Sequence, residues 1–198
     1  MTLAIAILVA YIVMALIPVA SALFLGPTSS GNVLFEFGRN IALAAFPILA
    51  LQPALTARIR RIERSVGTGN ALRFHKAMGI SALVAVFLHP MSLGGGEADM
   101  KLLTSWDVPW FVIVGKGALI ILTIHVMLAL LRSALRLKYQ TWKSLHAAVA
   151  LLILGGAFVH SWFAGTDLRI LWLQVYWIAL VILAAAAFFH KRTQGPAA

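Results

Sequence analysis

The sequence has 198 residues, of which 62% are hydrophobic and 11% are charged, and its formal net charge is +10. This much apolar surface cannot be buried inside a water-soluble domain of this size, so the composition predicts an integral membrane protein. The chain has no cysteine, which excludes disulfides and cysteine-ligated clusters. The positive charge does not indicate nucleic-acid binding, because no soluble segment is long enough to form a binding domain.

Apolar runs predict six membrane-spanning helices, each long enough to cross about 30 Å of hydrocarbon. The predicted spans cover residues 3–25, 34–57, 71–93, 108–135, 142–163 and 168–189. The first run could instead be a signal peptide that ends near Ala20-Ser21-Ala22, but its length and the lack of a basic start favour a retained helix. We expect one six-helix domain over residues 1–192 and a disordered tail over 193–198.

Short segments join the predicted spans. The sequence predicts turns at residues 26–31 and 165–167 and a basic loop at 58–64. It also predicts a flexible acidic loop at 94–99 and an amphipathic segment at the membrane interface at 100–106. Most of the Lys and Arg residues fall on the side that both termini share, whereas every acidic residue except Glu63 falls on the other side. The positive-inside rule therefore places both termini in the cytoplasm.

The third and fifth spans carry histidines at the same spacing. His89 follows His75, and His160 follows His146, by fourteen residues. Fourteen helical residues rise about 21 Å and return to within about 40° of the same face. Because these two spans cross in the same direction, His75 and His146 share one level and His89 and His160 share the other. Each level can give a haem iron one imidazole above its ring and one below.

Small residues lie four positions inward from each histidine, on the same face: Gly79, Ala85, Ala150 and Gly156. They leave space for a flat porphyrin, although Gly and Ala are common in any membrane helix. Without cysteine, haem would be held non-covalently. An iron with two histidine ligands has no vacant position, which favours electron transfer over oxygen binding at iron.

Five further polar side chains are candidates for roles around the histidines. Arg39, Arg73 and Lys143 lie at depths where haem propionates would emerge, and ordinary interface anchoring explains them equally well. Lys116 lies within a span, either near the outer haem or substrate entrance or with its amine reaching outward to water. No second histidine lies at the fourteen-residue spacing from His125, which favours a hydrogen-bonded histidine of the bundle over a ligand.

Two sequence motifs resemble the ferric reductase-like transmembrane domain, a superfamily of NADPH oxidases, ferric reductases and the haem-binding membrane subunit of the periplasmic methionine sulfoxide reductase system. They are Arg73-Phe74-His75-Lys76-Ala77-Met78-Gly79, with His89 beyond it, and Trp142-Lys143-Ser144-Leu145-His146, with His160 beyond it. The resemblance runs from Gly38-Arg39 to the sixth span. It implies an all-α bundle with two b haems between helices three and five, ligated by His75 with His146 and by His89 with His160.

The subgroup stays open at this stage. The Gly38-Arg39-Asn40-Ile41-Ala42-Leu43 segment and the basic second loop are most similar to the methionine sulfoxide reductase subunit, whereas His75 is typical of the oxidase and ferric reductase pattern. The resemblance implies that electrons pass from a cytoplasmic-side donor to an extracytoplasmic acceptor, across a bacterial inner membrane. That acceptor could be ferric iron, oxygen or a periplasmic reductase such as a methionine sulfoxide reductase.

The sequence contains no Gly-rich dinucleotide fingerprint in a βαβ setting. We therefore expect the donor to be a soluble flavoprotein reductase, a quinol or a loosely bound flavin. One alternative is a cytochrome b subunit of a larger quinol-oxidising respiratory complex. Another is a divalent-metal carrier that uses the intramembrane histidines, disfavoured because no Asp or Glu lies in the middle of a span.

Overall fold

The computed structural model describes residues 2–27, 30–57, 59–96 and 100–193. Regular structure within these ranges is helical. In chain order it comprises α1 (Thr2–Leu25), α2 (Val33–Leu55), α3 (Arg60–Val66), α4 (Thr68–Gly96), α5 (Lys101–Thr104), α6 (Trp110–Leu131), α7 (Tyr139–Ala164), a 3-10 turn (Thr166–Arg169) and α8 (Leu171–Thr193). Six of these helices, α1, α2, α4, α6, α7 and α8, are long and apolar enough to cross a membrane. The predicted all-α fold with six spans is confirmed.

Several predicted boundaries are wrong. The basic loop contains the short helix α3, the fourth span ends at Leu131, and the sixth begins at Leu171 after the 3-10 turn. Helix α2 contains Pro47 and Pro53 and continues through both. Prolines are tolerated in membrane helices because neighbouring groups can satisfy the freed backbone carbonyls. Residue 193, assigned to the disordered tail, ends α8, and residues 194–198 lie outside the described ranges.

The flexible loop predicted from residue 94 is also wrong at its start, because α4 continues through Gly94 and Gly95 to Gly96. The reason is close packing against α2. A Cβ on Gly96 would lie 2.7 Å from the backbone nitrogen of Phe35. The side chain of Asn32 caps α2 and donates a hydrogen bond to the Gly96 carbonyl. Small residues let two membrane helices approach this closely, and here that packing outweighs the low helix propensity of glycine. Residues 97–99 lie outside the described ranges.

Helix α2 lies at the centre of the bundle, where it packs against α1, α4 and α8, while α6 packs mainly against α7. Phe46 of α2 stacks on the buried Trp177 of α8 with 4.9 Å between ring centres. The lipid-facing surface is apolar, as a spanning bundle requires; Val175 and Leu152 are about 60% exposed.

The bundle has two chemically different ends. We call the end that carries Glu36 and Asp167 the acidic end, where α2, α6 and α8 begin and α4 and α7 finish. The opposite end carries the basic residues Arg60, Lys76 and Arg136, and we call it the basic end. Helices α4 and α7 both run from the basic end to the acidic end. His75 and His146 therefore lie nearer the basic end, and His89 and His160 lie nearer the acidic end.

Candidate functional site: two histidine pairs

The acidic-end pair consists of His89 on α4 and His160 on α7. The centres of the two imidazole rings are 6.3 Å apart, and the ring planes make an angle of 66°. The two side chains therefore face each other across a gap between helices that run in the same direction. Both rings are partly buried.

Backbone carbonyls of neighbouring helices hold both rings of this pair. Nδ1 of His89 lies 2.8 Å from the carbonyl oxygen of Gly38 on α2, and Nδ1 of His160 lies 2.8 Å from the carbonyl oxygen of Phe111 on α6. A carbonyl oxygen can only accept a hydrogen bond, so Nδ1 must be the protonated nitrogen in each ring. The other nitrogen, Nε2, then keeps its lone pair and can bind a metal.

Two glycines allow these carbonyls to come close enough. A Cβ on Gly38 would lie 2.9 Å from Cβ of Ser92 and 3.0 Å from the carbonyl oxygen of His89. A Cβ on Gly115 of α6 would lie only 2.5 Å from Nδ1 of His160. Real Cβ atoms do not approach other atoms so closely, so the position of the His160 ring requires glycine at 115. Sequence reasoning did not single out Gly115, because no periodicity connects it to His160.

The basic-end pair consists of His75 on α4 and His146 on α7, with ring centres 6.1 Å apart and ring planes at 73°. Of the small residues predicted to make room for a flat cofactor, Gly79 borders open space, since a Cβ there would meet nothing within 4 Å. Gly156 has a different neighbour. Its Cβ would lie 3.3 Å from Cβ of Ala118, so the small size of Gly156 serves packing between α6 and α7.

His125 and Trp142 complete a stack of three rings at the basic end. The ring centre of His125 on α6 lies 4.4 Å from that of His146, and the planes are nearly parallel at 22°. Trp142, one turn before His146 on α7, has its ring centre 5.0 Å from His146 and 5.9 Å from His125. His125 is buried. The sequence predicted a hydrogen-bonded bundle histidine here but not its ring contact with His146. Only the approach of Trp142 to His146 could have been read from the sequence, because the two residues lie four positions apart on one helix face.

Arg39 at the acidic end is paired with two carboxylates. Its guanidinium lies 3.1 Å from Glu36 and 3.4 Å from Asp167, whose residue is only 1% exposed. Burial raises the pKa of the Asp167 carboxyl above its ordinary value, Arg39 opposes that rise, and Glu36 adds to it. From the sequence, Arg39 was equally a candidate partner of a haem propionate and an ordinary interface anchor. In the structure its charge is already matched by carboxylates of this chain.

Of the other predicted cations, Arg73 and Lys143 are exposed and Lys116 is partly buried. Arg73 is exposed and donates a 2.8 Å hydrogen bond to the side chain of Asn70, and Lys143 is exposed near the start of α7. Lys116 reaches outward from α6. Its amine donates to the backbone carbonyl of Ser105 and lies 5.5 Å over the ring of Trp106. Of the two interpretations for Lys116, the structure favours the one in which its amine extends toward the membrane surface.

Each histidine pair offers two nitrogen ligands. Among the residues that the structure describes, no group of three or more His, Asp or Glu side chains could hold a metal ion. Two imidazoles on opposite sides of a gap suit a metal that takes its remaining ligands from a flat macrocycle, which is how haem iron is ligated.

Residues 41–157 match the family model described as the ferric reductase like transmembrane component. This segment contains His75, His89, His125 and His146 and ends shortly before His160. Comparisons with curated proteins and with solved structures find no match. Members of the family usually bind haem, and the domain indicates electron transfer across a membrane. Because the matched segment is more than half of the sequence, this chain belongs to the ferric reductase like transmembrane component family.

Proposed function

We propose that the protein is a di-haem b transmembrane electron-transfer protein. His75 and His146 would hold a haem at the basic end, and His89 and His160 would hold one at the acidic end. The observation that carries this proposal is the separation of the rings in each pair, 6.1 Å and 6.3 Å.

That separation fits two imidazoles bound to one iron. A bond from a metal to an imidazole nitrogen is about 2 Å long and that nitrogen lies about 1.1 Å from its ring centre, so ligands on opposite sides should be roughly 6 Å apart. Both observed values agree. Parallel stacking brings two rings closer than this, as His125 and His146 show at 4.4 Å.

Backbone carbonyls and a neighbouring ring of this chain orient the histidine ligands. The carbonyls of Gly38 and Phe111 hold the protons of His89 and His160 on Nδ1 and increase the basicity of Nε2. At the basic end, the parallel His125 ring restricts rotation of His146. Haem held in this way would supply an iron that changes between the ferrous and ferric states by one electron. About 21 Å of helix rise separates the two levels on α4, so the pairs extend across most of the hydrocarbon layer.

We place the basic end in the cytoplasm of a bacterial cell, with the chain in the inner membrane and both termini cytoplasmic, because basic residues concentrate at that end. Electrons then enter from a soluble flavoprotein reductase or a quinol. They leave at the acidic end to ferric iron, oxygen or a periplasmic reductase. Trp142 supports entry at the basic end, because its ring lies against both His125 and His146. Arg73 and Lys143, exposed near that level, are our candidate partners for the propionates of the inner haem.

The test is the haem content and coordination of the purified full chain. We expect two b-type haems per chain by pyridine haemochrome, and a six-coordinate low-spin spectrum in both oxidation states. His190→Ala, which changes an exposed histidine outside both pairs, should leave the content at two. One haem per chain, a high-spin spectrum, or a colourless protein that binds zinc or manganese would contradict the proposal.

A further inference from the structure

A cavity of about 520 Å³ opens at the basic end, between α4 and the turn that follows α6. Three cations line it: Lys76 from α4, Arg132 at the end of α6 and Arg136 in the turn. Ser133 adds a hydroxyl group. Among the described residues that line this cavity, every ionisable side chain is basic. The cavity therefore has the charge of an anion-binding site, and neither histidine pair contributes to its wall.

Each of the two arginines has an unusual local feature. Nε of Arg132 is buried and has no hydrogen-bond partner among the described residues, while its guanidinium lies 5.1 Å over the ring of Tyr139. Arg136 has a φ of 50°, in the left-handed region that favours glycine. Glycine is the usual residue at such a helix end, so arginine here carries backbone strain that glycine would avoid. Strained residues of this kind cluster at binding sites.

The rest of the cavity wall is apolar and comes from Ala129, Leu130 and Leu137. Ala129 and Leu130 belong to the last turn of the spanning helix α6, whereas Arg136 lies beyond its end. Along α6 and the turn after it, the wall therefore changes from apolar at Ala129 and Leu130 to cationic at Arg132 and Arg136, with Leu137 beyond them. A phospholipid has the same order of groups, with acyl chains followed by a phosphodiester. A soluble anion would gain nothing from the apolar part.

We infer that this cavity binds the phosphodiester head group of an anionic phospholipid, with Lys76, Arg132 and Arg136 around the phosphate and Leu130 beside the acyl chains. Basic pockets between spans on the cytoplasmic side suit such head groups. Cations are also stabilised at the C-terminal end of a helix by its dipole, but that does not account for Lys76, which lies in the N-terminal part of a different helix. The inference concerns a surface separate from the histidine pairs and holds whether or not haem binds.

Native mass spectrometry of the full chain in detergent, titrated with phosphatidylglycerol or zwitterionic phosphatidylcholine, tests this inference. Arg132→Gln combined with Arg136→Asn removes both arginine charges, and asparagine tolerates the left-handed conformation. Arg60→Gln combined with Arg64→Gln is the matched control, because it removes two exposed arginines from α3 at the same end. Since each cation beside a lipid phosphate contributes about fivefold, the cavity variant should bind phosphatidylglycerol about 25-fold more weakly than the wild type. The control should bind it as the wild type does. Phosphatidylcholine, whose cationic choline group is repelled by the three cations, should bind the wild type more weakly than phosphatidylglycerol does.

Equal weakening in both double variants would show a general effect of surface charge and would overturn the inference. So would displacement of phosphatidylglycerol by inorganic phosphate at the same concentration, because the site would then take a soluble anion. Thermal unfolding of each variant shows whether the fold is retained. If the cavity variant unfolds, Lys76→Gln, at an exposed position outside the turn, repeats the test with an expected loss of about fivefold.

Discussion

The imidazole of His125 stacks on the imidazole of His146, with 4.4 Å between ring centres and 22° between ring planes. His146 thus faces two partners: His75 lies across a gap wide enough for a metal, and His125 lies in direct contact. A ring held on one face by a buried neighbour loses little further freedom when its nitrogen binds a ligand. His125 therefore acts, in our proposal, as a positioning residue for the ligand of the inner haem.

Replacing His125 by leucine should loosen the inner haem without abolishing it. A stacked aromatic pair contributes about 0.5–1.5 kcal/mol beyond buried area, so haem loss should accelerate about two- to tenfold. The measurement is the rate at which excess apomyoglobin extracts haem, made in a His89→Ala background so that only the inner haem is present. His190→Leu in the same background is the control. An unchanged rate in the His125 variant would show that the stack does not position His146.

The two histidine levels should lose their haems independently. His89→Ala removes one ligand of the acidic-end pair, about 21 Å along α4 from the other level, so haem content should fall from two per chain to one. His75→Ala should give the same content but leave the other haem, which redox titration would distinguish. Loss of both haems in either variant, with the helical circular dichroism signal retained, would show that the level-by-level pairing is wrong.

The sequence predicted the two levels because they depend on the number of residues between histidines and on the direction of each span. It could not predict contacts that depend on how neighbouring helices are rotated. The pairing of Arg39 with Asp167, and the packing of Gly115 against His160, join distant parts of the chain that no periodicity relates. The sequence also did not predict that α4 extends through Gly96, because this extension depends on packing against another helix. Local propensity indicated a loop, and contact with α2 overrode it.

The buried carboxyl of Asp167 should make stability depend on pH. Its pKa in the folded protein is raised above the ordinary 3.8, mainly by burial, so the folded state binds this proton more tightly than the unfolded state does. The stabilising contribution is therefore full below pH 3.8 and is lost as the pH rises through the raised pKa. Asp167→Asn cannot titrate and should lack this loss.

Thermal unfolding of the wild type and of Asp167→Asn across acidic to neutral pH measures the effect. The unfolding temperature of the wild type relative to the variant should fall as the pH rises. Asp107→Asn, which alters an exposed carboxyl on the same side, controls for net charge. A constant difference between the wild type and Asp167→Asn across this range would contradict the assignment.

Gly115→Ala tests whether the fit of α6 against His160 maintains the acidic-end pair. The added methyl would lie 2.5 Å from Nδ1 and 2.7 Å from Cγ of His160, so the ring must move and lose its 2.8 Å hydrogen bond to the Phe111 carbonyl. We expect haem content to approach one per chain, with the remaining haem at the basic end.

Gly117→Ala on the same helix is the matched control, because its added Cβ would meet nothing within 4 Å. Alanine has a higher helix propensity than glycine, so neither substitution should weaken α6 itself. The control should therefore keep two haems per chain. If both variants keep two haems per chain, the prediction is contradicted, because the ring of His160 can then move and still bind its haem. If both variants lose one haem, the cause is a general disturbance of α6, and close packing at Gly115 is not what maintains the pair.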